Sequence, residues 1–216
     1  MNDAKNEQLT GIQQAVLAGD MDDIQDLVTA ALADELEPDA ILSGALTPAM
    51  AIVGEEYERG ERFVPEMLIS AETMKMALAI LHPLLKQDGV APVGVVVIGT
   101  VEGDLHDIGK DLVAMMLEGA GFRVENLGID VSPAAFVEAV REQRPNLVAM
   151  SALLTTTMVN MQAVIEALRE AGLRDDVRVI VGGAPLSQDF ADKIGADGFA
   201  PDAAGAVRLA KALIEG

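Results

Sequence analysis

Cysteine and tryptophan are missing from this chain of 216 residues, and its aromatic side chains amount to five phenylalanines and one tyrosine. Without cysteine there is no disulfide, no thiolate metal site and no thiol nucleophile. A core so poor in rings has to be built from Ala, Val, Leu, Ile and Met, which suits helices packed on helices or on a buried parallel sheet. Positive charge is scarce too: 15 Lys and Arg stand against 35 Asp and Glu, a formal charge of -20. No basic stripe is visible, which argues against a phosphate-backbone partner. The longest strand-like apolar run, "VGVVVIG", is far too short to span a bilayer. The opening "MNDAKNEQLTG" is polar and lacks the apolar stretch of a signal peptide. These absences predict a soluble, cytoplasmic protein with no nucleic-acid and no membrane partner.

What is present falls into two halves. Up to about residue 86 the pattern is helical: "IQQAVLAG", then "DMDDIQDLVTAALADEL", with Ile24, Leu27, Val28, Ala31 and Leu32 at helical spacing. Pro38 opens a third helix that Gly60 ends, and a fourth starts near Pro65. Four short-looped helices predict a small antiparallel bundle. Beyond the polar linker "KQDGVAP" the pattern alternates. Strands are expected at "VGVVVIGT", "FRVENLG", "NLVAMSA", "VRVIVGG" and "DGFAP". Between and after them come helices beginning near Ile108, Pro133, Val159 and Gln188 and at "AAGAVRLAKALI". The fold expected is therefore α/β: an N-terminal four-helix bundle over 1–88, then a flavodoxin-like, doubly wound, five-stranded parallel sheet over 89–216.

The first strand ends near Thr100, so "VEGDLHDIG" lies on the loop at its carboxyl edge, where an open α/β sheet keeps its ligand. The loop has neither the glycine spacing of a dinucleotide site nor the Gly-Lys-Ser/Thr of a phosphate loop. Asp104-x-His106 suggests something more particular. A carboxylate beside a histidine can accept the Nδ1 proton and leave Nε2 as an outward lone pair, as in metal-ligating histidines. One histidine without cysteine cannot build a tetrahedral zinc site. A single imidazole suffices only where another group supplies the remaining ligands, as a macrocycle does. A plainer reading also exists: Asp104 caps the helix near Ile108, Ser151 and Thr155–Thr157 end a strand, and Gly182-Gly183 make an ordinary turn.

Asp104-x-His106-x-x-Gly109, then 41 residues to Ser151-Ala152-Leu153, then 28 to Gly182-Gly183, resembles the base-off, His-on cobalamin-binding signature. "PAMAIVGEEYERGERFVPEMLISAETM" is similar to the helical cap that precedes the cobalamin domain in methionine synthase and in small corrinoid methyl-carrier proteins of methylamine- and methanol-type systems. The resemblance implies a cobalamin cofactor whose cobalt takes His106 as lower ligand, with Asp104 and Thr157 completing a relay. Methionine synthase has serine where Thr157 stands. It implies further cofactor contacts from Gly103, Leu105, Asp107, Gly109, Ser151, Leu153, Thr155, Gly182, Gly183 and Ala203, with the nucleotide tail entering between strands one and four. Tyr57 and Val64 would shield the upper face of the corrin, lying on one helical face if the Gly60 turn is tight and flanking a break if it is not.

The function implied is a methyl shuttle between a substrate-specific corrinoid methyltransferase and a second methyltransferase acting on a thiol or tetrahydrofolate, with a reductive activase as a further partner. The chain would then be a methyl-carrying subunit with no complete active site of its own. An alternative is a cobalamin-dependent sensor. Such regulators carry a DNA-binding segment ahead of the cap, and fewer than ~20 residues precede the main helices here, too few for two helices and a turn. The small subunit of an adenosylcobalamin isomerase is a third class, which normally lacks the helical first half. His82 reads as a helix-end residue before Pro83, and Met50, Met67, Met74 and Met76 as fillers of the bundle core. Glu55, Glu56, Glu58 and Glu61 read as a solvated face.

Overall fold

A computed structural model describes residues 2–87 and 91–215. It separates into a helical unit up to residue 92 and a sheet unit from residue 93, with 118–121 grouped with the first. The expected junction between 88 and 89 lies outside the described residues.

In the helical unit α1 (Asn2–Ala18) and α2 (Ile24–Ala33) are followed by α3 (Pro38–Ile41), α4 (Thr47–Glu58) and α5 (Val64–Gln87). Helix α1 starts earlier than its apolar spacing suggests, taking in the polar opening residues. The expected third helix is one rod with a wider π turn, Leu42–Leu46, between α3 and α4. Pro48 has no N–H to give the carbonyl four residues back, and the chain absorbs the missing bond by widening a turn. Ile12, Val16, Ile24, Val28, Ile41, Leu46, Met67 and Met74 are buried, and α1, α2, α4 and α5 pack on one another. Met50 is buried as well, whereas Met76 is only half-buried. By length and hydropathy alone Val64–Leu85 would suffice to cross a bilayer. Its buried Met67, Ala71, Met74, Leu78 and Leu81 make it the central helix of the bundle.

The sheet unit has β1 (Val95–Thr100), β2 (Arg123–Asn126), β3 (Leu147–Ser151), β4 (Arg178–Gly182) and β5 (Gly198–Ala200). They are all parallel, in the order β2-β1-β3-β4-β5, the flavodoxin-like order. Helices α6 (Ile108–Gly119), α7 (Pro133–Gln143), α8 (Asn160–Glu170), α9 (Gln188–Ile194) and α10 (Ala203–Glu215) complete it. Ser132 and Ser187 cap α7 and α9 by accepting from Ala135 and Phe190 amides, which explains why those starts are readable in sequence. Phe136, Val148, Ile165 and Val179 are fully buried in a core on one side of the sheet. Strand β2 is an edge strand, mostly exposed, because its "RVEN" is too polar to be covered on both faces.

Candidate functional site

Strand register sets the site. Thr100 pairs with Ser151, and Ser151 with Gly182, so β1, β3 and β4 end level and their loops share one edge. The three separated sequence elements are thereby brought into a row with Ser151 in the middle. Strands β1 and β4 are not neighbours, since β3 lies between them. A ligand tail lying between strands one and four would therefore have to cross the end of β3.

Asp104 is the centre of this edge, with no exposed side-chain surface. Its Oδ1 accepts from the His106 ring Nδ1 at 2.6 Å and from the His106 amide at 3.1 Å. Its Oδ2 accepts from the Thr157 hydroxyl at 2.5 Å and from the amides of Leu153 and Leu154 at 2.8 and 3.3 Å. Burial pushes this carboxyl up, but the bonds from Thr157, the His106 ring, and the Leu153 and His106 amides together outweigh it. The net result holds Asp104 well below the ordinary carboxylate range, so it is ionised. An ionised carboxylate only accepts, so Nδ1 carries the proton. The His106 ring is 51% exposed and offers its other nitrogen, Nε2, which has no partner among the described residues. None of the bonds to Asp104 comes from α6, so it does not cap that helix.

Backbone groups fix the loop that carries this pair. The buried Thr100 hydroxyl donates to the His106 carbonyl at 2.9 Å, and the Asn160 side chain to the Glu102 carbonyl at 2.7 Å. Asp130 accepts from the Gly103 amide at 2.6 Å and donates its own amide to the Asp104 carbonyl at 3.1 Å. Lys110, buried in the first turn of α6, pairs with Asp111 and with Asn126 at the end of β2. Sequence reading missed all of these except the loop itself. Asn160 and Asp130 are polar residues in turns, with nothing in their local pattern to mark their distant partners.

The remaining expected residues divide. Leu105 and Leu153 are exposed, and Ile108 at the start of α6, Ile129 after β2, and Leu154 and Val159 after β3 are exposed apolar residues too, with Leu105 and Ile108 at 67% and 71%. Asp107 and Thr155 are exposed and Ser151 is half-buried. A Cβ placed on Gly109 meets nothing, so the fold leaves open space there. Gly183 is different: its φ is +137°, and a Cβ would overlap the Ala152 carbonyl, so the fold itself requires glycine. Ala203 opens α10 past the end of β5 and is buried. In the helical unit Tyr57 lies in the last turn of α4 and Val64 opens α5. Gly60, at φ +71°, ends α4, so the two flank a break rather than share a helical face. Arg62 in that break donates to Glu56 at 2.8 Å, Ser70 at 3.0 Å and the Leu17 carbonyl at 3.0 Å. The acidic cluster is thus not simply solvated, because Glu55 and Glu61 pair with Arg59 and Glu56 with Arg62. His82 stands within α5 one residue before Pro83.

Among the described residues no three His, Asp or Glu side chains gather to hold a metal ion. One outward imidazole, an apolar rim and a gap at Gly109 instead fit a flat metal complex that brings its own in-plane ligands. Comparison with known proteins agrees. A B12 binding domain model matches residues 94–208, and a second, of the helical type, matches 8–82. The trimethylamine corrinoid protein of Methanosarcina barkeri is 43% identical over 97% of this chain and 98% of its own. The methanol:cobalamin methyltransferase complex MtaBC of that organism contains a chain with TM-score 0.86 and 31% identity, over 97% of this chain and 80% of that one. A cobalamin-binding protein from Desulfitobacterium hafniense DCB-2 superposes with TM-score 0.76 and 33% identity, over 95% and 98%.

Proposed function

The chain belongs to the corrinoid proteins built on a B12 binding domain, and from that premise we propose that His106 is the lower cobalt ligand of a cobalamin used to carry methyl groups. Bound cobalamin supplies a cobalt centre that takes up and releases a methyl group. The protein's part is to orient and tune one imidazole. The observation that carries this reading is the closed ring of donors around Asp104, which leaves the carboxylate one role toward His106: holding the Nδ1 proton. Nε2 then stands in for the cofactor's own dimethylbenzimidazole. A proton gained or lost along Thr157, Asp104 and His106 changes the charge on the imidazole and hence its strength as a ligand. Gly109 and the exposed Leu105 and Leu153 would line the corrinoid, and Ser151, Gly182 and Gly183 the path of its tail along the β3 end. Tyr57 and Val64 are our candidates for shielding the opposite face.

The partner is a methyltransferase, the pairing named for the MtaBC neighbour. A second methyltransferase that passes the methyl to a thiol or tetrahydrofolate, a reductive activase and a cytoplasmic setting complete the proposal. Relatedness to methylamine corrinoid proteins over the whole chain favours a carrier over a sensor. Reconstitution with hydroxocobalamin tests it: wild type should give a red holoprotein, and His106→Ala should lose the imidazole signature in its spectrum. Failure of wild type to retain the corrinoid overturns the reading.

A further inference from the structure

Asp130 reaches the loop of Asp104 and His106 from outside it. It stands between β2 and α7, two residues before the Ser132 cap, and its side chain is exposed, so core packing does not dictate its conformation. Yet its φ is +54°, in the left-handed region that L residues rarely enter. Two bonds accompany that conformation. The carboxylate accepts from the amide of Gly103, and the Asp130 amide donates to the carbonyl of Asp104. One residue therefore holds the Glu102–Gly103 peptide ahead of Asp104 and the Asp104–Leu105 peptide after it. Pairing between the two loops leads up to it: the Thr100 amide donates to Gly128, the Val131 amide to Thr100, and Val101 bridges Val131.

We propose that Asp130 is a positioning residue for the corrinoid, fixing the backbone on both sides of Asp104 so that the carboxylate meets Nδ1 and Nε2 is aimed at cobalt. It touches no cofactor itself. The inference rests on the reading of His106 as the lower ligand. Partners that orient a metal-ligating histidine typically change metal affinity about 10–100-fold when removed, and Asp130 acts one step further out, through the backbone.

The test uses the full chain as wild type, Asp130→Gly and Asp130→Asn. Glycine keeps the left-handed φ without strain and removes only the carboxylate, while asparagine keeps both the acceptor and the tolerance for that φ. In the cofactor-free proteins, exchange of the Gly103 amide should quicken in Asp130→Gly and stay slow in Asp130→Asn. After reconstitution with hydroxocobalamin, Asp130→Gly should bind about tenfold more weakly, the low end of the outer-shell range. Its reduced form should also lose the histidine-nitrogen splitting from part of its paramagnetic resonance signal. Asp130→Asn should restore both. Wild-type affinity and full splitting in Asp130→Gly, or equal losses in both variants, overturn the positioning role while leaving His106 as ligand. Wild type with no nitrogen splitting overturns the ligand reading, and this proposal with it.

Discussion

Each unit has a polar residue that ties several of its segments together, and the two ties are opposite in sign and in kind. Arg62 is a donor that joins three helices, reaching Leu17 on α1, Glu56 on α4 and Ser70 on α5. Asp104 is an acceptor that joins two loops and takes most of its bonds from backbone amides. The arginine keeps 15% of its side chain exposed and the aspartate keeps none. The difference separates two tasks. A guanidinium fork bridges elements that side-chain packing already holds, whereas a buried carboxylate gathers loop amides that no apolar packing brings together, and passes that arrangement on to His106.

Breaking the aspartate should have the largest effect. Asp104→Ala leaves the amides of His106, Leu153 and Leu154 without their carboxylate acceptor, and should cost about 3 kcal/mol at neutral pH in urea unfolding of the cofactor-free protein. The folded carboxyl lies below its unfolded value, so its contribution is full above about pH 4 and shrinks as pH falls further. The gap between wild type and variant should therefore narrow below about pH 4, and a constant gap would show that charge is not what the tie needs.

A smaller effect is expected at the other tie. Arg62→Lys should cost about 1–2 kcal/mol, because one ammonium cannot serve three acceptors spread around a planar fork. Wild-type melting in this variant would reduce Arg62 to a surface charge. The smallest stability change belongs to a residue beside the aspartate but outside its bonds. Gly109→Ala should leave the cofactor-free protein as stable or up to about 1 kcal/mol more so, since alanine is the better helix former. The added methyl should nonetheless weaken hydroxocobalamin binding. Lost stability instead would make Gly109 a residue of the fold rather than of the site.

Much of this architecture is visible in the sequence where the signal is local. Pro133 and Ser187 announce α7 and α9, and Asp104, His106 and Gly109 stand close enough to be seen as a group. What stayed hidden depends on distant partners or on the main chain. The amides of Leu153 and Leu154 are donors that any two residues there would provide, so nothing in their side chains advertises them. The π turn before Pro48 and the placing of β3 between β1 and β4 follow from whole-chain packing. Arg62 and Asp130 look like ordinary charged turn residues until the fold brings their partners to them.

The bond from Thr157 to Asp104 spans 53 positions of the chain. A ribosome must therefore have released β3 and the turn beyond it before Asp104 can take its bond from Thr157. Closing so long a loop has an entropic cost that pairing of β1 with β3 must meet first. A nascent fragment that carries only the Asp-x-His sequence lacks the Thr157, Leu153 and Leu154 donors that surround Asp104 in the finished domain.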